Sequence, residues 1–170
     1  MINTQYRFSS VVALALLSLM GSGLVAAATT TTNKPLLNKN KFSIGAGLSV
    51  NSVDAPFNVD DETGFQFFVA YDLSAVNLME GVNTSIELGY MDYGFDGVDN
   101  DGLWATAVVD GKMSGQFGWL ARLGLDFGDD SGIMLGAGVS LALSNRLDTR
   151  LEYVVRDDVD SIQLNFIYSL

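Results

Sequence analysis

The sequence predicts an all-β fold, an eight-stranded antiparallel up-and-down β-barrel that crosses a membrane. Three observations point there. From Lys41 onward, apolar residues recur with a period of two in eight successive stretches of nine to twelve residues, the pattern of strands rather than helices. The opposite parity is built largely of Gly, Ser and Ala. Finally, hydrophobic residues make up 48% of the chain and charged residues only 17%, well below the roughly 25% of an ordinary soluble domain.

The same composition excludes several functions. Lys and Arg number 9 against 20 Asp plus Glu, for a net charge of −11. No basic patch is available to neutralise nucleic-acid phosphates. The chain has no cysteine and no histidine, so disulfides, thiolate chemistry, imidazole bases and His or Cys metal ligands are all excluded.

The elements follow in order. Met1–Ser10 carries one cation, Arg7, before the apolar run Val11–Val25 and the small residues Ala26-Ala27-Ala28. Residues 1–28 therefore read as a secretory signal peptide. The fifteen-residue run is short of the roughly 20 residues a spanning helix needs, which favours cleavage over anchoring. Residues 29–40 (TTTTNKPLLNKN) read as a polar tether. Residues 41–170 then form the barrel domain. An exported chain with no cysteine and little lysine suggests the envelope of a Gram-negative bacterium, which puts the barrel in the cell outer membrane.

Strand by strand, the apolar parity falls on Phe42, Ile44, Leu48 and Val50 in Lys41–Asn51, and on Phe65, Phe67, Val69 and Tyr71 in Thr63–Leu73. It falls on Ile86, Leu88 and Tyr90 in Val82–Tyr93, and on Leu103, Ala105, Ala107 and Val109 in Leu103–Met113, where the alternation is least clear. Phe117–Phe127 presents Trp119, Leu123 and Leu125, and Ile133–Ala142 presents Leu135, Val139 and Leu141. Leu147–Val155 presents Leu151 and Tyr153, and Ser161–Leu170 presents Ile162, Leu164, Phe166, Tyr168 and Leu170.

Alternation alone does not say which face points outward. A soluble, lipocalin-like barrel would turn the apolar face inward around a ligand. However, interior glycine weakens a solvated strand, whereas small residues suit the narrow inside of an eight-stranded barrel. Large apolar residues with recurrent Tyr, Trp and Phe suit a lipid-facing band with aromatic girdles. The apolar face is therefore expected outside.

With the N-terminus at the periplasmic side, the connections 51–62, 94–102, 128–132 and 156–160 share the outer end. They hold Asp54, Asp60, Asp61, Glu62, Asp96, Asp99, Asp101, Asp129, Asp130, Asp157, Asp158 and Asp160 against one cation, Arg156. The opposite end has Lys34, Lys39, Lys41 and Arg146. Charge is segregated along the barrel axis.

The residues resemble a family, the small eight-stranded outer-membrane barrels such as the transmembrane domain of outer membrane protein A and the opacity-type surface proteins. The resemblance covers residues 41–170. It rests on Ile86-Glu87-Leu88-Gly89-Tyr90 with Tyr93-Gly94, on Leu120-Ala121-Arg122-Leu123-Gly124, and on Asn145-Arg146-Leu147 leading into Arg150-Leu151-Glu152-Tyr153. The terminal strand, with Phe166, Tyr168 and Leu170, looks like the signal read by the outer-membrane barrel insertion machinery, although the family usually ends in Phe where this chain has Leu170. The resemblance implies outer-membrane lipid and lipopolysaccharide as surroundings and a monomer as the assembly.

Glu87, Arg122, Asp126, Arg150 and Glu152 all fall on the inward parity. Charges in a narrow lumen must be paired. The resemblance implies a stacked network plugging the lumen, with Arg122 and Arg150 answering Glu87 and Glu152; a gated pore using the same charges is the alternative. Asp96-Gly97-Val98-Asp99-Asn100-Asp101-Gly102 invites a calcium reading, but its spacing does not match an EF-hand and no bidentate Glu follows. It reads as a solvated acidic turn. Gly136-Ala137-Gly138 lies in a strand and is no phosphate loop. The expected function is thus non-enzymatic and cofactor-free, a structural or adhesion-like role at the cell surface, with an unknown host or cell-surface ligand at the acidic loops. A narrow ion or solute channel and a secreted ligand binder are the alternatives.

Overall fold

A computed structural model describes residues 37–53, 61–73, 76, 78–95, 101–128 and 131–170. The expected signal peptide and most of the expected tether lie outside the described residues, as do Asp54, Asp60, Asp96, Asp99, Asp129 and Asp130. The described residues form a short 3-10 turn, Lys39–Lys41, and eight strands. These are β1 (Phe42–Val53), β2 (Glu62–Asp72), β3 (Val82–Asp92), β4 (Asp101–Ser114), β5 (Phe117–Asp126), β6 (Gly132–Ala142), β7 (Leu147–Val155) and β8 (Val159–Ser169). Each strand pairs antiparallel with the next, and β8 returns to β1 to close the barrel. The seam extends beyond β8, where the Leu170 amide donates to the Phe42 carbonyl at 3.0 Å.

All eight expected strands are present, with shifted ends. Glu62 and Asp101, expected in loops, are instead the first residues of β2 and β4. The reason is pairing. Glu62 sits opposite Asn51, and Asp101 opposite Asp92, so the backbone ladder runs past the point where apolar alternation fades. Asp61, Asp157 and Asp158 do lie in connections at that same end.

The two parities separate as expected. Leu48, Leu123 and Ile133 are each about three-fifths exposed, while Gln66, Glu87 and Gln163 are fully buried. The exposed residues form cross-strand neighbours around the outside, for example Phe65–Leu48–Leu164–Leu151–Val139. So large a continuous apolar surface is not one that water tolerates. It has the form of a lipid-facing band.

The lumen is fuller than its small residues suggest. Phe68, Met91, Trp104, Val108, Leu120, Met134, Val154 and Ile167 all point in and are buried. Glycine makes room for them. Gly45 lies opposite Phe68, Gly89 opposite Trp104, and Gly136 opposite Arg122. At each of these glycines an added Cβ would run into the facing side chain. The glycine-rich parity is therefore half of a bump-and-gap pattern whose other half is bulky.

Connection length does not distinguish the ends. The β2–β3 connection spans residues 73–81, one residue longer than either 54–61 or 93–100 at the acidic end. Charge distinguishes them instead. At the opposite end, the β4–β5 hairpin turns through Gly115 at φ +59°, a conformation that favours glycine. In the β6–β7 turn the Ser144 hydroxyl accepts from the amides of Arg146 and Leu147.

Candidate functional site: two polar layers in the lumen

The inward charges form two layers rather than the single network expected. The inner layer comes from β3, β5 and β7, whose inward parity carries Glu87, Arg122, and Arg150 with Glu152. Arg122 Nη2 lies 3.2 Å from Glu87 and 2.6 Å from Glu152, and Arg150 Nη1 lies 2.6 Å from the other Glu87 oxygen. Positive and negative groups alternate in the order Arg150, Glu87, Arg122, Glu152, and the four charges cancel. The expected pairing of these four residues is what the geometry shows.

Amides extend this layer. Asn165 donates to Glu152 at 3.0 Å, and Gln66 donates to Asn165 at 2.7 Å and to Gln163 at 2.8 Å. The Arg122 guanidinium also lies over the Trp104 ring, 5.5 Å from its centroid, a favourable placement for a desolvated cation.

Asp126 does not belong to that layer. Its carboxylate accepts from the Tyr93 hydroxyl at 2.5 Å and from Arg156 Nε at 3.1 Å. The Gly128 amide donates to its second oxygen at 2.9 Å. Arg156 continues to Ser161 Oγ at 2.8 Å and to the Met91 sulfur at 3.1 Å, and its guanidinium stacks 5.2 Å from the Tyr93 ring. Asn51 Nδ2 donates to the Tyr93 carbonyl at 2.7 Å. This outer layer lies at the acidic end of the barrel.

Arg156 is the principal correction to the sequence reading, which placed it as a cation among the loop acids. It is buried, 5% exposed, and points into the lumen. Position 156 extends the inward parity of Arg150, Glu152 and Val154 by one step, and Tyr93 extends that of Glu87, Gly89 and Met91. Parity followed past the strand ends would have found both. Among the described residues the two layers meet at the Met91 sulfur, which Gln163 approaches at 3.9 Å. A thioether is a weak acceptor, so the link is slight.

Between and around the layers pack Phe68, Met91, Tyr93, Trp104, Met134, Val154, Val159 and Ile167. With its charges paired and its gaps filled by apolar groups, the arrangement is suited to closing the lumen and holding the strands in register.

No family model matches the chain, and no curated protein matches it. Solved structures do match. The outer membrane enzyme PagL aligns with a TM-score of 0.57 at 11% identity, covering 75% of this chain and 99% of that one. A de novo designed transmembrane β-barrel aligns at 0.54 with 14% identity, covering 78% and 98%. Neisserial surface protein A aligns at 0.53 with 13% identity, covering 76% and 97%. The fold is therefore that of the small eight-stranded transmembrane β-barrels, as the sequence resemblance implied.

Proposed function

We propose that this chain is exported by its signal peptide, residues 1–28, and inserts into the outer membrane as a barrel whose lumen is plugged. Its acidic end faces outward and carries a structural or surface-contact role. The observation that carries the reading is the closed barrel with large apolar side chains outside and ion pairs inside, the inverse of a soluble protein. A rigid barrel suits the display of loops for contact. The surroundings this implies are outer-membrane lipid and lipopolysaccharide. Assembly runs through the barrel insertion machinery, with Phe166, Tyr168 and Leu170 as the terminal signal.

The reading is non-enzymatic. PagL shows that this fold hosts an enzyme, but the present chain has no histidine or cysteine to serve as base or nucleophile. Fractionation tests the proposal. The protein should remain in outer-membrane pellets after carbonate washing and migrate differently on gels with and without boiling. Recovery as a soluble periplasmic species would overturn it.

A gated narrow channel is the second reading, favoured by Glu87 being shared between two arginines, so that a swap of partners would shift charge along the lumen. Arg122→Gln separates the two. A plug loses stability without gaining conductance, whereas a gate gains single-channel conductance in planar bilayers.

A further inference from the structure

The outer layer joins the roots of all four connections at the acidic end. Asn51 stands two residues before the end of β1, Tyr93 is the first residue after β3, Asp126 ends β5, and Arg156 is the first residue after β7. Asn51 holds the Tyr93 backbone through its carbonyl. Tyr93 and Arg156 converge on one Asp126 oxygen, while the other oxygen receives the Gly128 amide. Ser161, at the start of β8, is tied in through Arg156. Asn51, Asp126, Arg156 and Ser161 are each at least 95% buried, so water competes little for these bonds.

We propose that Asp126 is the keystone of a coupling device that ties the roots of the four outward connections into one mechanical unit, independent of the Glu87–Arg122 layer. The charge balance fits this role. Asp126 and Arg156 neutralise one another, and Tyr93 shields both with its hydroxyl on the carboxylate and its ring beside the guanidinium. Removing the Asp126 charge leaves the Arg156 guanidinium buried without its carboxylate, which costs more than the bond is worth on its own. A loosening at one root therefore spreads to the rest. A load on one root would then be shared by the other three.

Backbone hydrogen exchange, read by mass spectrometry on the full chain in lipid vesicles, tests the proposal. Asp126→Asn and Tyr93→Phe should each speed exchange roughly tenfold in the segments holding Asn51, Tyr93, Asp126 and Arg156 together, as loss of a buried bond to a charged group implies. Glu87→Gln should leave those four segments within about twofold of wild type. Faster exchange confined to the substituted strand, or an equal response to Glu87→Gln, would overturn the coupling. If Asp126→Asn prevents folding, Tyr93→Phe decides, because it removes one hydroxyl and leaves the ion pair in place. Entry of the wild-type chain into vesicles is scored separately. Failure to enter counts against the membrane reading, and exchange in detergent micelles still decides the coupling.

Discussion

Glu87 occupies an unusual position, since both Arg122 and Arg150 pair with it. Breaking a buried ion pair by removing one partner typically costs about 3–5 kcal/mol, because the remaining charge stays buried. Glu87→Gln takes from Arg150 its ion-pair carboxylate and leaves Arg122 with Glu152 alone. Arg150→Gln strands none completely, because Glu87 keeps Arg122, and the Arg150 side chain itself is 12% exposed. Urea unfolding in vesicles should therefore rank Glu87→Gln as the more destabilising by at least about 1 kcal/mol. Equal midpoints would show that the layer is not organised around Glu87. Gly89 gives a second case at this scale. A Cβ there meets the Trp104 indole, so Gly89→Ala should destabilise by about 1–3 kcal/mol through overpacking. Combining it with Trp104→Leu should recover part of that loss. Additive losses would place the strain elsewhere.

At the scale of the strand, the two parities were legible because side chains alternate along a strand whatever its neighbours do. Ile162, Leu164 and Phe166 are exposed and Gln163 and Asn165 buried, as the alternation in the last stretch implies. Strand ends were less legible. Apolar patterning marks where a strand meets lipid, while pairing marks where it stops, and β4 runs two residues beyond its apolar stretch at the acidic end. β8 carries its own consequence. Its last outward residues, Phe166 and Tyr168, are followed by Leu170, whose amide closes the seam with β1. If this strand is the assembly signal, Leu170→Phe should leave thermal stability within about 0.5 kcal/mol, as surface changes usually do, yet speed the appearance of the heat-modifiable form in cells. An unchanged rate would remove Leu170 from the signal.

For the whole molecule, charge orientation is the property with the clearest test. The four connections at the acidic end contain one cation, Arg156, and it is buried in the lumen. The opposite end exposes Lys39, Lys112 and Arg146. On intact cells, trypsin should leave the protein whole, whereas a protease specific for acidic residues should cut it. In inverted outer-membrane vesicles trypsin should cut as well, at the exposed Lys39, Lys112 or Arg146. Tryptic cleavage on intact cells would mean that the barrel sits the other way up.

The amino-acid sequence by itself determined the strand count, the barrel class, the face that meets lipid and the segregation of charge, because each is a local pattern of period two or a matter of composition. It also marked Glu87, Arg122, Asp126, Arg150 and Glu152 as inward. Which of them meet was decided only by the closed barrel. Strands β3, β5 and β7 are not neighbours in the sheet, and their side chains touch because closure and register place them at the same height across a narrow lumen. That geometry sends Asp126 to Tyr93 and Arg156 rather than to Arg122. Arg156, counted from sequence among the loop charges, is drawn inside because a buried carboxylate so near it needs a counterion.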